Sequence, residues 1–181
     1  MLFFKNTAKK ERGFTMLELL STVAIASIIA GFAIPNIEAY QAANNKTQTM
    51  NQFVALLTDA RKSAVNRATK VVVCPIDENA SCSEDWTLPV SVFADDNDNQ
   101  TIEYNEDVLN SLDLSAVTQS VKWQAFSKKP FIQFDDAGAS GDQSGRLFLC
   151  DTTSTNHKVI IVTPAGHTRV DANEETTTAC L

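Results

Sequence analysis

Three groups of residues in this 181-residue chain have types and spacings that could do chemistry. The first is Asp95-x-Asn97-x-Asn99 with Glu106 in the last place, oxygen ligands at the spacing of a calcium-binding loop. Such a loop needs glycine for its sharp turn, and Gln100 stands there instead. No helical pattern flanks the stretch, so it reads as a hairpin turn, and no metal is expected. The second group is Cys74, Cys82, Cys150 and Cys180. With no Cys-x-x-Cys and only two histidines, a zinc site is not expected. Paired cysteines carry no free thiolate, and neither a Gly-x-Ser-x-Gly elbow nor another triad motif occurs. The chain is therefore not expected to be an enzyme, and no catalytic residue or cofactor is assigned. The third group is basic: Arg146, Lys158 and Arg169, with His157 and His167 nearby in sequence. These could meet the phosphates of DNA. Asp171, Glu174 and Glu175 follow so closely that DNA is not favoured as a partner.

The elements that position these residues begin with an apolar run. Phe14 to Pro35 gives 22 positions with one charge, Glu18. Roughly 20 apolar residues span a bilayer as a helix. A secretory signal peptide would place its small cleavage residue after a shorter apolar stretch, whereas here Gly13 precedes the run. Lys5, Lys9, Lys10 and Arg12 lie before it and orient that end to the cytoplasm. Beyond Pro35, Met50, Phe53, Val54, Leu57, Ala60, Ala64, Val65 and Ala68 recur at three- and four-residue spacing, the mark of an amphipathic helix. The expectation is one helix from about Phe14 to Arg67, bent or loosened at Pro35 where an N–H is missing. Arg61, Lys62, Arg67 and Lys70 read as its solvated face.

After Lys70 the pattern turns to strands. Candidates are Val71–Cys74, Val90–Phe93, Thr101–Tyr104, Ser120–Phe126, Phe131–Phe134, Arg146–Cys150, Val159–Thr163 and Thr168–Val170. The expected fold class is α+β: a long N-terminal helix, transmembrane in its first half, carrying a small two-sheet antiparallel β-rich domain. An even number of cysteines in an exported domain argues for two disulfides, with three connectivities open. The pairing Cys74 with Cys82 closes a short polar loop, and Cys150 with Cys180 pins an acidic tail to a core strand, so that pairing is expected. The formal charge of −7 becomes −10 if residues 1–13, with four Lys/Arg and one Glu, are removed. That acidic balance is a poor global match to nucleic acid.

The basic leader ending at Gly13, the Gly-Phe junction, Thr15, Glu18 and the proline closing the run resemble the N-terminus of type IV pilins and type II secretion pseudopilins. Further on, Val-Cys-Pro (73–75), Trp86, Phe-x-Asp (93–95), Phe134-Asp135-x-x-Gly138, the Leu147 to Asp151 strand and Val159 to Arg169 are similar to the GspH/FimT family. Two departures are Leu88-Pro89, where the family commonly has glycine, and His167, where it commonly has arginine. The resemblance implies a prepilin leader at 1–13 cut between Gly13 and Phe14, with Phe14 methylated. It implies a membrane and filament-core helix at 14–35, with the amphipathic half at 36–69 and the head at 70–181. Its partners are a prepilin peptidase, inner-membrane lipid before assembly, and other pilins, with Glu18 meeting the free amine of a neighbour. The head lies in the periplasm, then on the pilus at the cell surface. The expected function is a minor pilin in pilus biogenesis and twitching motility. Alternatives are a DNA-uptake minor pilin using Arg146, Lys158, His167 and Arg169, and a type II secretion pseudopilin.

Overall fold

The computed structural model describes residues 13–115, 117, 119–150, 157–171 and 180, with backbone alone at 32–39 and 41–43. The leader residues Lys5, Lys9, Lys10 and Arg12, the tail residues Glu174 and Glu175, and the side chain of Pro35 lie outside the described residues. Helix α1 covers Met16–Arg67. It is followed by β1 (Val71–Pro75), β2 (Val90–Ala94), β3 (Val108–Leu112), β4 (Ser120–Ala125), β5 (Ile132–Phe134), β6 (Gly145–Cys150), β7 (Lys158–Val162) and β8 (Thr168–Asp171). The chain divides into two compact units, one ending at Ala43 and one starting at Asn44.

In the first unit, Thr15 caps the helix. Its Oγ1 accepts the Glu18 N–H at 3.3 Å, and its carbonyl accepts the Leu19 N–H at 3.1 Å. Thr15-x-x-Glu18 is the spacing of a capping box, and a carboxylate in the first turn suits the positive end of the helix. Phe14, Met16, Leu17, Val23, Ile28 and Ile29 are all more than half exposed. Among the described residues no helix is long and apolar enough to cross a membrane. The segment expected to span over 14–35 includes residues 32–35, whose side chains lie outside the described residues.

In the second unit, the helix from Asn44 onward supplies Phe53, Leu56, Leu57, Ala60 and Ala64 to a single core. One sheet, in the order β3-β2-β1-β5, gives that core Val71, Val73, Val92, Ile132 and Phe134. The other, β4-β6-β7-β8, gives Val121, Leu147, Leu149, Ile160 and Val162. Every pairing is antiparallel. Fully burying each large apolar side chain contributes about 1.5–3 kcal/mol before the entropy of ordering it is subtracted. The helix ends at Ala68, whose φ of 52° is left-handed. The Thr69 N–H reaches the Ala64 carbonyl and the Ala68 N–H the Val65 carbonyl, the two bonds of a Schellman ending. Val65, expected on the core stripe, is half exposed, and Ala68 lies past the last turn.

One strand is misplaced by the sequence reading. Thr101–Tyr104 is not a strand: Thr101 makes only an isolated bridge to Ser81, and Tyr104 is fully exposed. The third strand is instead Val108–Leu112, paired with β2 through a register shift at Val92/Phe93. The reason is local. The Glu106 carboxylate accepts the N–H of Glu103 at 3.2 Å and of Asp96 at 3.1 Å, folding 95–107 back on itself and delaying the ladder.

Candidate functional site

The candidate sites fall at the helix start, in the loop after β2, and across the second sheet. At the helix start Phe14 is 80% exposed and a Cβ built on Gly13 meets nothing within 4 Å. The junction therefore stands open on this chain. Glu18 sits in the first turn, its own N–H capped by Thr15.

The loop after β2 is a hydrogen-bonded turn. Asp95, fully buried, accepts the Asn99 N–H on Oδ1 at 3.0 Å and the Gln100 N–H on Oδ2 at 3.1 Å. With the two bonds to Glu106, all four oxygens of these carboxylates are engaged by backbone donors. Asp98 and Gln100 take left-handed φ values of 62° and 57°. Asp98 then binds Lys70 at 2.6 Å and Gln133 at 2.6 Å, and those two hydrogen bonds, from Lys70 first, hold its carboxyl below the usual carboxylate range. The same bond to Asp98 raises Lys70 above the usual lysine value. Arg67 pairs with Asp107 at 2.8 Å. Lys70 and Arg67 are thus tied to the loop rather than simply solvated.

The four basic candidates do not gather. Residues opposite one another across neighbouring strands share a face of the sheet. Gln124, Arg146, Ile161 and Arg169 form one such row, which puts Arg146 and Arg169 on the outer face about 10 Å apart. Lys158 pairs with Leu149, a core residue, and so belongs to the opposite face. His167 is elsewhere: its Nδ1 lies 3.2 Å from Arg61 Nη1 on the helix. A guanidinium only donates, so that imidazole nitrogen accepts. Arg61 also donates from Nε to the Gly138 carbonyl at 2.8 Å and from Nη2 to the Ala165 carbonyl at 3.2 Å.

Arg61 therefore clamps two loops to the helix. Both loops turn on glycine, with Gly138 and Gly166 each at φ 75°. A Cβ on Gly166 would fall 1.9 Å from the Gly138 carbonyl oxygen, and one on Gly138 2.8 Å from Val65. Asp135 closes the first loop by accepting the Ala137 and Ala139 N–H groups at 3.0 and 2.7 Å. The motifs around Phe134-Asp135-x-x-Gly138 and Thr163 to Arg169 thus have a packing purpose. Sequence reasoning missed Arg61 because it looked like one of several helix cations. Its position between Ala60 and Ala64, both buried, was the available signal.

Cys74 is joined to Cys82, and Cys150 to Cys180. Cys150, His157 and Cys180 bring their ligand atoms within 4.8 Å of one another. The two sulfurs are bonded to each other and hold no thiolate for a metal.

The family model described as Type II transport protein GspH matches residues 49–166, and the prokaryotic N-terminal methylation motif matches residues 8–34. The chain is 38% identical over 64 residues to a fimbrial protein of Pseudomonas aeruginosa, covering 35% of this chain and 41% of that one. It is 43% identical over 54 residues to the type IV major pilin protein PilA of Myxococcus xanthus (strain DK1622), 30% of this chain and 24% of that one. The matched segments thus span less than half of these curated relatives. Two crystal forms of the type IV minor pilin FimU of Pseudomonas aeruginosa (strain PAO1) share the fold. One has a TM-score of 0.57 at 18% identity over 76% of this chain and 96% of that chain. The other has 0.54 at 16% over 75% and 99%. With its methylation motif, its long N-terminal helix and its two-sheet head, this chain belongs to the GspH family of pilin-like proteins.

Proposed function

We propose that the chain is a minor pilin, a structural subunit that enters a type IV pilus by its N-terminal helix. The observation that carries this is the methylation motif over residues 8–34 in the same chain as a GspH-type head. A prepilin peptidase cuts between Gly13 and Phe14, and the new N-terminus at Phe14 is methylated. The apolar helix over 14–35 first rests in the inner membrane, with the head in the periplasm. On assembly it exchanges lipid for neighbouring helices, so apolar burial is conserved and packing decides the association. The exposed apolar side chains from Phe14 to Ile29 support a segment covered by something other than its own chain. Glu18 meets the amine of an adjoining subunit, a pairing that a carboxylate among apolar helices requires.

A second reading is a pseudopilin of the type II secretion type, favoured by the description of the matching family model. DNA uptake through Arg146, Lys158, His167 and Arg169 is less supported, since Lys158 and His167 face away from the other two. The deciding experiment is N-terminal mass spectrometry of the mature protein from cells, joined to mass spectrometry of sheared pili. A chain starting with methylated Phe14 in pili is expected. A chain starting elsewhere leaves a plain membrane anchor, and a processed chain absent from pili leaves the secretion reading.

A further inference from the structure

Among the described residues from Asn44 onward, Tyr104 and Phe126 are the most exposed of the large apolar side chains, at 107% and 85%. They stand in surroundings of opposite charge. Phe126 follows β4 and lines one of two clefts that share Gln124, Ala125 and Lys128. One cleft, about 310 Å³, is walled by Trp86, Trp123, Lys129 and Glu84. The other, about 590 Å³, takes in Phe126, Arg146, Ile161 and Pro164. Both volumes are those of ordinary binding clefts, roughly 300–1,000 Å³. In a chain of net charge −7, the first cleft sets Lys128 and Lys129 against a single carboxylate, Glu84.

Tyr104 stands in the opposite surroundings. The loop over 95–107 holds six carboxylates, and its ion pairs are to Arg67 and Lys70. Glu103 and Asp107 flank the exposed ring and are themselves exposed. Tyr104 touches no groove of its own chain, because it is fully exposed. An aromatic tip with carboxylates beside it is what a groove of tryptophan, phenylalanine and lysines receives. Tyrosine is favoured at such contacts because its ring buries area while its hydroxyl seeks a partner. We propose that the groove beside Phe126 binds the acidic Tyr104 loop of a second copy of this chain. Lys128 and Lys129 then face Glu103 and Asp107. The contact uses only surfaces of residues 44–181 and stands independently of the pilus reading.

The test uses the full chain in detergent micelles, mixed from isotopically light and heavy preparations and treated with a carbodiimide, which joins lysine to carboxylate. Mixed light–heavy crosslinks from Lys128 or Lys129 to Glu103 or Asp107 are expected, since these can form only between copies. Tyr104→Ser should cut their yield roughly tenfold or more, the equivalent of losing about 1.4 kcal/mol, and Lys128→Glu with Lys129→Glu, which lacks the reacting amines, should weaken association to a similar degree as read by sedimentation. Mixing the lysine-reversed chain with one carrying Glu103→Lys and Asp107→Lys should restore association, read by sedimentation. Crosslinks confined to single copies, crosslinks mapping to other surfaces, or unchanged association of every variant would overturn the proposal. So would a groove that shifts by fluorescence of Trp123 with a DNA oligonucleotide but not with the second copy.

Discussion

At the scale of single residues, Glu18 carries two roles that one substitution separates. Its place three residues after Thr15 suits the capping of the helix, while its charge suits an intersubunit amine. Glutamine keeps the capping spacing and drops the charge. Glu18→Gln is therefore expected to leave the melting temperature of the head unchanged and to impair incorporation into pili, measured by immunoblotting sheared filaments. Normal incorporation would remove the charge from the mechanism. Asp98 makes a prediction about pH. Its carboxyl is held low in the folded state by Lys70 and Gln133, so its stabilisation is present above the ordinary carboxylate range and is lost as pH falls through the lowered value. The pair is almost half exposed and screened, so Asp98→Asn should cost less than about 1 kcal/mol at pH 7. That difference should vanish in acid, as denaturant melts of the two chains across pH would show.

At the scale of elements, the clamp of Arg61 and the two glycine turns gives the sharpest expectation. Gly166→Ala meets both a left-handed φ and a backbone oxygen that cannot move aside cheaply. Arg61→Ala leaves the Gly138 carbonyl, inside the turn, without its donor, at about 1–3 kcal/mol. Either change should lower the melting temperature by several degrees, and Arg61→Lys should not fully restore it, because one ammonium cannot reach three acceptors in a fork. Loss of Leu57, fully buried where the helix meets both sheets, should cost about 2–5 kcal/mol as Leu57→Ala. The long helix and seven of the eight strands among the described residues were legible from period and composition, since β-branched runs such as Val71–Val73 sit buried on both faces. The third strand was not, because Val108–Leu112 is an edge with mostly exposed side chains and so carries little alternation. Nor was the scatter of the basic candidates, which depends on register, where one residue's shift sends a side chain to the other face.

At the scale of the whole molecule, the acidic balance and the separation of the basic residues bear on nucleic acid. Arg146 and Arg169 share a face, but two arginines supply few of the phosphate contacts that DNA affinity requires. A mobility-shift titration of the purified chain at about 0.15 M salt, where fields are screened over roughly 8 Å, is expected to show weak or no binding. A low-micromolar affinity that collapses with Arg169→Ala would make DNA uptake the better account. The groove beside Phe126 was invisible in the sequence for a related reason. Its tryptophans and lysines come from separate strands and turns, and only the fold brings them to one cleft.

The two disulfides have a consequence in time. Each covers the outer face of one sheet. Cys74–Cys82 lies over Val72, Phe93 and Phe131, and Cys150–Cys180 over Phe148 and Val159. The first joins residues 8 apart and the second residues 30 apart, and Cys180 is synthesised long after Cys82. The head is therefore expected to be sealed in order, the sheet under Cys74–Cys82 first and the sheet under Cys150–Cys180 last. Thiol closure takes seconds to hours, so a late interval exists in which the second sheet lacks its cover. Pulse-labelling with a thiol-blocking reagent should catch Cys150 and Cys180 open after Cys74 and Cys82 have closed, and a protease added in that interval should cut the uncovered end first.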